Sequence, residues 1–331
     1  MRAIVVREPG GPEVLTLRDV PIPEIAHSHV RIRVEYAGVN RADLLQRAGF
    51  YPAPPGVPAD IPGLEYAGVV DAVGPGASRF STGDRVYGLV AGGAYAEQIV
   101  AHEREIAPIP AGLATEEAAA IPEAFLTAYD ALVVQARLAP GERVLIHAAG
   151  SGVGTAAVQI ARALGCFVIG TSRTADKLTR AKELGLDAGL LTKGATFAAA
   201  VLDATGKSGV DVVLELVGGA YVAEDLRATA QNGRIVLVGL TAGTQGEIDL
   251  GLLLRKRITL KGTVMRARPL EEKIQAAQLL ERNISPWVAK RIVKPVVDRV
   301  FPLEEAAAAH AYVAGDESFG KVLLRIGAPI V

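Results

Sequence analysis

The stretch from Arg143 to Leu164 constrains the fold more than any other part of this chain. It begins as an apolar strand, passes through a turn of small residues and continues as a helical pattern. Small residues let a backbone approach a pyrophosphate, whose charge is stabilised by the free N–H groups at the start of a helix. Aligned on Gly154, the G-x-G-x-x-G dinucleotide pattern reads Ala149, Ser151 and Gly154, so the match is incomplete and depends on its context.

The context is a regular alternation of strands and helices after this turn. The expected strands are Phe167–Thr171, Asp187–Leu191, Val210–Val217 and Arg234–Gly239, and the helices between them are Ala175–Leu184, Phe197–Ala204 and Ala220–Ala230. A sixth run, Ile258–Val264, can close the sheet. This pattern predicts an α/β fold with a doubly wound Rossmann parallel sheet and a ligand crevice at the carboxyl ends of its strands. A doubly wound domain with a different ligand is the alternative.

The residues after the second strand predict which dinucleotide binds. Enzymes that use NAD usually place Asp or Glu there, on the ribose 2′-hydroxyl. This chain has Ser172 and Arg173 instead, and Lys177 follows one turn later. A hydroxyl and a guanidinium can hold a 2′-phosphate, so we expect NADPH, with Arg173 and Lys177 as ordinary solvated charges in the alternative.

We expect the pyrophosphate of the cofactor to be lined by Gly150, Ser151, Gly152, Val153 and Gly154.

Length and composition exclude several classes of protein. The 331 residues suffice for two domains, and a formal net charge of −1 argues against nucleic acid as a partner. The single cysteine, Cys166, cannot form an intrachain disulfide. The charged start of the chain does not read as a signal peptide, and no segment reads as a membrane span. We therefore expect a cytoplasmic protein without membrane association.

The first third of the chain has a different pattern. Short β runs alternate with Gly and Pro, and these runs are Ala3–Val6, Leu15–Asp19, His29–Tyr36, Gly68–Val73, Asp84–Leu89 and Tyr95–Val100. They predict a small, partly open β-barrel. The tail is too short for a domain of its own, so we expect it to return to this barrel. The predicted domains are 1–122 and its return 265–331, with the dinucleotide domain inserted at 123–264 and the active cleft between the two lobes.

Ordered motifs along the whole chain resemble one family. They are Gly38-Val-Asn-Arg-Ala-Asp43, Gly63-Leu-Glu-Tyr-Ala-Gly68, Val73-Gly-Pro-Gly76, Gly83-Asp-Arg-Val86, Gly93-Ala-Tyr-Ala-Glu97, Ala120-Ile-Pro122, Thr127-Ala-Tyr129 and Phe319-Gly-Lys321. Together they resemble the medium-chain dehydrogenases/reductases, and among them the zinc-independent quinone oxidoreductases of the zeta-crystallin type. Met265-Arg-Ala-Arg268 points to their stress-inducible branch. The resemblance implies a GroES-like catalytic domain that carries the Rossmann domain as an insertion.

The resemblance also implies residues that handle the substrate. We expect the Tyr51 hydroxyl to face a substrate carbonyl, unless Tyr51 is an aromatic plug on the proline-rich loop of residues 51–58. Asn40 would orient the nicotinamide amide or the substrate, or only cap its own turn. Asp43 and Gln46 lie close to one helical face with Asn40, although Asp43 could instead pair with Arg47.

Further cofactor residues follow from the same resemblance. Thr127 matches a family threonine beside the nicotinamide, and Gly239 and Leu240 follow the strand where that half of the cofactor lies. The remaining candidates are Met265 and Arg266, which would close over the nicotinamide, and Phe319 and Lys321 in a C-terminal motif at the cofactor edge.

Zinc is not expected. Zinc-dependent members of the superfamily use cysteine and histidine where this chain has Asn40, Leu64 and Glu123. Without zinc to activate an alcohol, a quinone that delocalises the incoming charge is the favoured hydride acceptor. The alternatives are an α,β-unsaturated aldehyde or ketone as substrate, or a crystallin-like cofactor-binding protein without turnover. We expect a homodimer that pairs through Ile258–Val264.

Overall fold

The computed structural model describes residues 1–327 of the chain. These residues form two compact units, each with its own sheet and core. The first unit comprises Met1–Leu126, Met265–Arg291 and residues 295–327, and the second comprises Thr127–Val264 with Ile292–Lys294. No helix among the described residues is long and apolar enough to cross a membrane.

The first unit begins with seven strands separated by turns. They are β1 (Arg2–Val6), β2 (Leu15–Asp19), β3 (His29–Val39), β4 (Glu65–Val73), β5 (Arg85–Leu89), β6 (Gln98–His102) and β7 (Ile106–Pro108). Two α-helices accompany them, α1 (Arg41–Arg47) and α2 (Thr115–Ala119), and the next helix, α3 (Pro122–Tyr129), contains the boundary between the two units. β3 is the longest strand and pairs antiparallel with both β4 and β6. The alternate residues Val30, Ile32 and Val34 of β3 are fully buried, as the period of a half-buried strand requires.

The second unit is a six-stranded parallel sheet with helices between its strands. The strands are β8 (Arg143–Ile146), β9 (Phe167–Ser172), β10 (Ala188–Leu191), β11 (Val210–Glu215), β12 (Thr229–Leu237) and β13 (Thr259–Gly262). The helices are α4 (Gly152–Ala163), α5 (Ala175–Glu183), α6 (Ala198–Ala204), α7 (Tyr221–Ala228) and α8 (Leu250–Lys256). Their spatial order is β10-β9-β8-β11-β12-β13, so the chain reverses direction across the sheet between β8 and β11. This arrangement confirms the predicted Rossmann sheet, whose ligand crevice lies at such a reversal point.

The tail of the chain completes the sheet of the first unit. It contributes α9 (Leu270–Leu279), α10 (Ser285–Ala289), β14 (Val297–Pro302), α11 (Ala306–Ala314) and β15 (Lys321–Arg325). β15 pairs antiparallel with β3 and parallel with β14. Val322 lies opposite Val39 in this register. The start of β15, at Lys321, is therefore close to Asn40, which follows the end of β3, although the two residues are far apart in sequence.

Several elements differ from the sequence expectations at their ends. β12 begins at Thr229 rather than Arg234, with a register shift against β11 that the apolar pattern does not reveal. α9 ends at Leu279, and the chain continues as a π-helical turn over Leu280–Ile284. The short helices α1 and α8 carry too few turns to give a clear apolar period.

Candidate functional site

The turn between β8 and α4 has the geometry of an anion-binding helix start. Ser151 caps α4, because its Oγ accepts a hydrogen bond from Gly154 N at 3.0 Å. A Cβ atom on Gly154 would lie 2.2 Å from the Ala148 carbonyl oxygen, so only glycine fits there. Gly152 and Val153 are half-buried at the first turn, where the N–H groups have no partner within the helix. Ala148 takes a left-handed conformation with φ of 47°, a local cost that is typical of functional turns.

The end of β9 brings together the groups predicted to select the cofactor. Ser172 is buried, and its Oγ accepts a hydrogen bond from Thr174 N at 3.2 Å, which leaves the hydroxyl hydrogen available to an acceptor. Arg173 is exposed beside it. The aliphatic part of Lys177 lies against Gly150, where an added Cβ would be 2.9 Å from Lys177 Cδ. The cationic side chain thus runs from α5 to the turn that begins α4.

Three further predicted cofactor positions lie in the second unit. Thr127 is 6% exposed, and its Oγ1 has no hydrogen-bond partner among the described residues. A buried hydroxyl without a partner is costly, so this position is suited to a ligand that can hydrogen-bond to it. Gly239 follows β12 and approaches the Leu216 carbonyl, where a Cβ would lie 2.3 Å from that oxygen. Leu240 beside it is exposed.

A buried ion pair joins β15 to β3 and β4 in the first unit. Lys321 Nζ lies 2.6 Å from Glu65 Oε1, and it also donates to the Val39 carbonyl and to Asn40 Oδ1. Glu65 is fully buried and Lys321 is 4% exposed. Gly38 leaves room for the Glu65 carboxylate, because a Cβ on Gly38 would lie 2.0 Å from Glu65 Oε1. Lys321 therefore stabilises the sheet of the first unit. This structural role was not part of the sequence prediction, which placed Lys321 at the cofactor edge. Phe319 before it is buried.

Asn40 and Asp43 are also bonded within the first unit. Asn40 Nδ2 donates to Glu65 Oε1 at 3.0 Å, so both ends of its amide are bonded to Glu65 and Lys321. Asp43 is fully buried and accepts hydrogen bonds from Asn40 N at 2.8 Å, Gly63 N at 3.0 Å and the Tyr95 hydroxyl at 3.2 Å. Burial raises the pKa of Asp43 to about 6. These bonds give Asp43 a structural position.

The alternative ion pair between Asp43 and Arg47 does not form. Arg47 instead donates to the Gly10 carbonyl at 3.1 Å and contacts His310 Nδ1 at 3.4 Å. The i,i+4 spacing on α1 suggested the pair, but the helix turns Asp43 toward Gly63 and away from Arg47.

Gln46, Tyr51 and Arg266 form one group. Arg266 is buried, and its guanidinium donates to Gln46 Oε1 at 2.6 Å and to the Tyr51 carbonyl at 3.0 Å. Gln46 is buried as well, whereas Tyr51 is half-buried. No hydrogen bond of the Tyr51 hydroxyl is found among the described residues. Arg266 thus contacts the expected substrate residues, a role the sequence analysis did not assign to it. Met265 beside it is buried at 8% exposure.

The positions that match zinc ligands in relatives do not fit zinc. Leu64 is apolar and buried at 2% exposure, and the Asn40 amide is bonded to Glu65 and Lys321. Glu123 is half-buried, and its backbone N–H donates to Glu65 Oε2 at 2.8 Å. Burial, and then the negative charge of Glu65, raise the pKa of Glu123 to about 8. A carboxyl with such a pKa is a feature that the sequence analysis did not identify.

A buried polar cluster in the second unit was not predicted from the sequence. His147, directly after β8, hydrogen-bonds through Nε2 to Asp225 Oδ1 at 2.8 Å and through Nδ1 to Thr171 Oγ1 at 2.9 Å. Glu215, the last residue of β11, lies 3.7 Å from His147 Nε2. His147, Glu215 and Asp225 are fully buried. A histidine directly after the apolar residues 144–146 of β8 was a signal for such a cluster, because a buried imidazole needs partners.

Comparison with protein families identifies both parts of the chain. Residues 26–111 match the family model described as the alcohol dehydrogenase GroES-like domain. Residues 152–282 match the model described as zinc-binding dehydrogenase. The two models cover the barrel and most of the nucleotide-binding sheet, and they occur here in the order expected for a medium-chain dehydrogenase/reductase.

Individual relatives span nearly the whole chain. The quinone oxidoreductase of Mus musculus is 37% identical over 330 residues, which cover 98% of this chain and 97% of the relative. The structure of Escherichia coli quinone oxidoreductase complexed with NADPH has a TM-score of 0.90 and 29% identity, covering 98% of this chain and 100% of that chain. The structure of an NAD-dependent alcohol dehydrogenase has a TM-score of 0.88 and 37% identity, covering 99% and 100% respectively.

Proposed function

Because the chain belongs to the quinone oxidoreductase family of medium-chain dehydrogenases/reductases, we propose that it reduces a small quinone with NADPH. Membership in this family makes it an NAD(P)H-dependent oxidoreductase. The observation that carries the proposal is the Tyr51 hydroxyl. Of the four side chains expected to handle the substrate, those of Asn40, Asp43 and Gln46 are bonded within the first unit. The Tyr51 hydroxyl is left to donate to an incoming oxygen.

The residues of the second unit fit the reduced dinucleotide. The N–H groups at the start of α4 can bind its pyrophosphate, and Ser172 with Arg173 can bind a 2′-phosphate. The unpartnered Thr127 hydroxyl can hydrogen-bond to the carboxamide of the nicotinamide. When bound, the nicotinamide supplies the hydride. The relative of known structure described as complexed with NADPH supports this choice of cofactor.

Tyr51 can assist the reaction by stabilising charge. Hydride addition to a quinone places negative charge on a carbonyl oxygen, and a hydroxyl held at that oxygen stabilises it. This catalysis needs orientation and a hydrogen-bond donor rather than a Lewis acid. No residue of the chain is required to ligate a metal.

The test of the proposal is oxidation of NADPH in the presence of a small ortho- or para-quinone. We expect loss of the NADPH absorbance with formation of the hydroquinone. A conjugated ketone serves as the second substrate, and a product with a saturated carbon–carbon bond would favour the enone alternative. Binding of NADPH without turnover of either substrate would contradict the enzymatic proposal and favour a cofactor-binding role.

Arg173→Ala is expected to weaken binding of NADPH by about tenfold or more while leaving the affinity for NADH nearly unchanged. The reason is that only the 2′-phosphate gains from the guanidinium. Binding is measured by calorimetric titration of both nucleotides. Lys182→Ala is the matched control, because it removes an exposed positive charge near the end of α5, the helix that follows Arg173. Equal losses for NADH and NADPH would contradict the assignment of Arg173 to the phosphate.

We also propose that the protein is a homodimer. β13 is an edge of the six-stranded sheet, with β12 as its neighbour, and an uncovered edge favours pairing with a second copy. Leu250 and Leu254 on α8 are 70% and 75% exposed, which is unusual for leucines of a monomer surface. Light scattering is expected to give twice the chain mass of 34.5 kDa. A mass of one chain for the unmodified protein would contradict the proposal, and L250E/L254E is expected to give that mass.

A further inference from the structure

Arg266 lies at the centre of the hydrogen bonds around Tyr51. Its three nitrogens have three different acceptors: Nε donates to the Ala91 carbonyl at 2.6 Å, Nη1 to the Tyr51 carbonyl at 3.0 Å and Nη2 to Gln46 Oε1 at 2.6 Å. The side chain is 5% exposed. A lysine cannot reproduce this arrangement, since its single ammonium lacks the planar fork of the guanidinium.

The same network holds both ends of the proline-rich loop. Arg266 binds the loop at its start, through the Tyr51 carbonyl. Gln46, whose Oε1 accepts from Arg266, donates through Nε2 to the Ala59 carbonyl at 3.1 Å, at the other end. One guanidinium therefore holds the start of the loop directly and its end through Gln46.

Arg266 also contacts the aromatic ring that carries the hydroxyl. Its guanidinium carbon lies 5.0 Å from the centre of the Tyr51 ring, within the range of a cation–π interaction. Burial raises the pKa of Tyr51, the positive charge of Arg266 acts to lower it, and the negative charge of Glu123 acts to raise it. Arg266 thus opposes the effects of burial and of Glu123, and a hydroxyl with a lower pKa is a stronger hydrogen-bond donor.

We infer that Arg266 is a positioning residue of the reductase, which fixes the backbone, ring and hydroxyl of Tyr51 for the substrate carbonyl. This inference rests on the proposed reduction of a quinone, in which Tyr51 is the donor. It differs from the sequence expectation, in which Arg266 closed over the nicotinamide. The chemical consequence is that Arg266 changes the reaction only through Tyr51, without touching substrate or cofactor.

A double-mutant cycle tests whether Arg266 acts through Tyr51. Arg266→Lys is expected to lower kcat/KM for a quinone by about tenfold or more in the unmodified background. In the Tyr51→Phe background the same change is expected to lower kcat/KM by less than about twofold, because the hydroxyl that Arg266 positions is already absent. Arg268→Lys is the control, since Arg268 lies two residues away and forms an ion pair with Glu272 at 3.8 Å. Equal losses in both backgrounds would overturn the inference and leave Arg266 a structural residue only.

A second measurement does not depend on turnover. Titration of the phenol absorbance, with Tyr51→Phe subtracted, reports the ionisation of Tyr51. Arg266→Met is expected to move this ionisation to higher pH while the affinity for NADPH stays within about twofold of the unmodified protein. Unchanged ionisation would contradict the electrostatic contact. A large loss of NADPH affinity would indicate that Arg266 binds the cofactor, as expected from the sequence. Should the unmodified protein reduce no quinone, the proposed function fails while this titration still decides the link between Arg266 and Tyr51.

Discussion

Lys321→Met is expected to lower the free energy of unfolding by about 3 kcal/mol, because it leaves the fully buried Glu65 carboxylate without its cation. The substitution also removes the donor to Asn40 Oδ1 and to the Val39 carbonyl, at the junction of β15 with β3. For a unit of this size the loss corresponds to a decrease in Tm of about 6 to 12 °C. Urea unfolding of the protein without added nucleotide measures the effect directly.

The control for this prediction removes the charge of both partners. The double variant K321M/E65Q has no buried carboxylate to compensate, so we expect it to recover more than about half of the lost stability. Glu65→Gln alone leaves a buried ammonium and is expected to destabilise by a similar amount. If Lys321→Met left the unfolding midpoint unchanged but weakened NADPH binding, Lys321 would be a cofactor residue, as the sequence motif predicts, and not a structural residue of the buried ion pair.

The sequence predicted the second unit well because its signals are local. The strand, turn and helix around Ser151 lie within a few residues of one another, and each apolar strand that follows is long enough to be recognised. The observed parallel sheet, with its reversal between β8 and β11, confirms the expected Rossmann sheet. Ser172 and Arg173 lie at the predicted strand end for the same reason.

The candidate site in the first unit depends on long-range pairing and was predicted less well. Lys321 meets Asn40 only through the register of β15 against β3, across 281 residues of sequence. Arg266 meets Gln46 across 220 residues. Periodicity reports which face a side chain occupies but not which distant strand lies opposite it. The motifs therefore select the candidate residues, while the partners that bind their polar atoms are visible only in the fold.

Glu215→Gln is expected to remove much of the pH dependence of stability between about pH 5 and pH 8. Burial raises the pKa of Glu215 to about 8 and that of Asp225 to about 7, and it lowers the pKa of His147. The folded state therefore holds carboxyl protons that the unfolded state has released, so the contribution of the two carboxyls to stability is greatest below their unfolded pKa values and is lost as pH rises through the folded ones, whereas the lowered pKa of His147 acts in the opposite direction. In Glu215→Gln the amide oxygen can still accept the hydrogen bond from Gly218 N, which lies 2.8 Å from Glu215 Oε1 in the unmodified protein. The amide nitrogen can donate a hydrogen bond to Asp225.

Urea unfolding across this pH range checks the prediction. The unmodified protein is expected to lose about 3 kcal/mol more than the variant between pH 5 and pH 8.5, and Glu183→Gln, an exposed change in the same unit, is expected to follow the unmodified protein. Parallel curves for all three proteins would contradict a protonated cluster. A bound divalent metal that is lost on Glu215→Gln would contradict it too, since the same three side chains could ligate an ion. The 2.8 Å between His147 Nε2 and Asp225 Oδ1 favours the proton, because two ligands of one tetrahedral zinc lie about 3.3 Å apart.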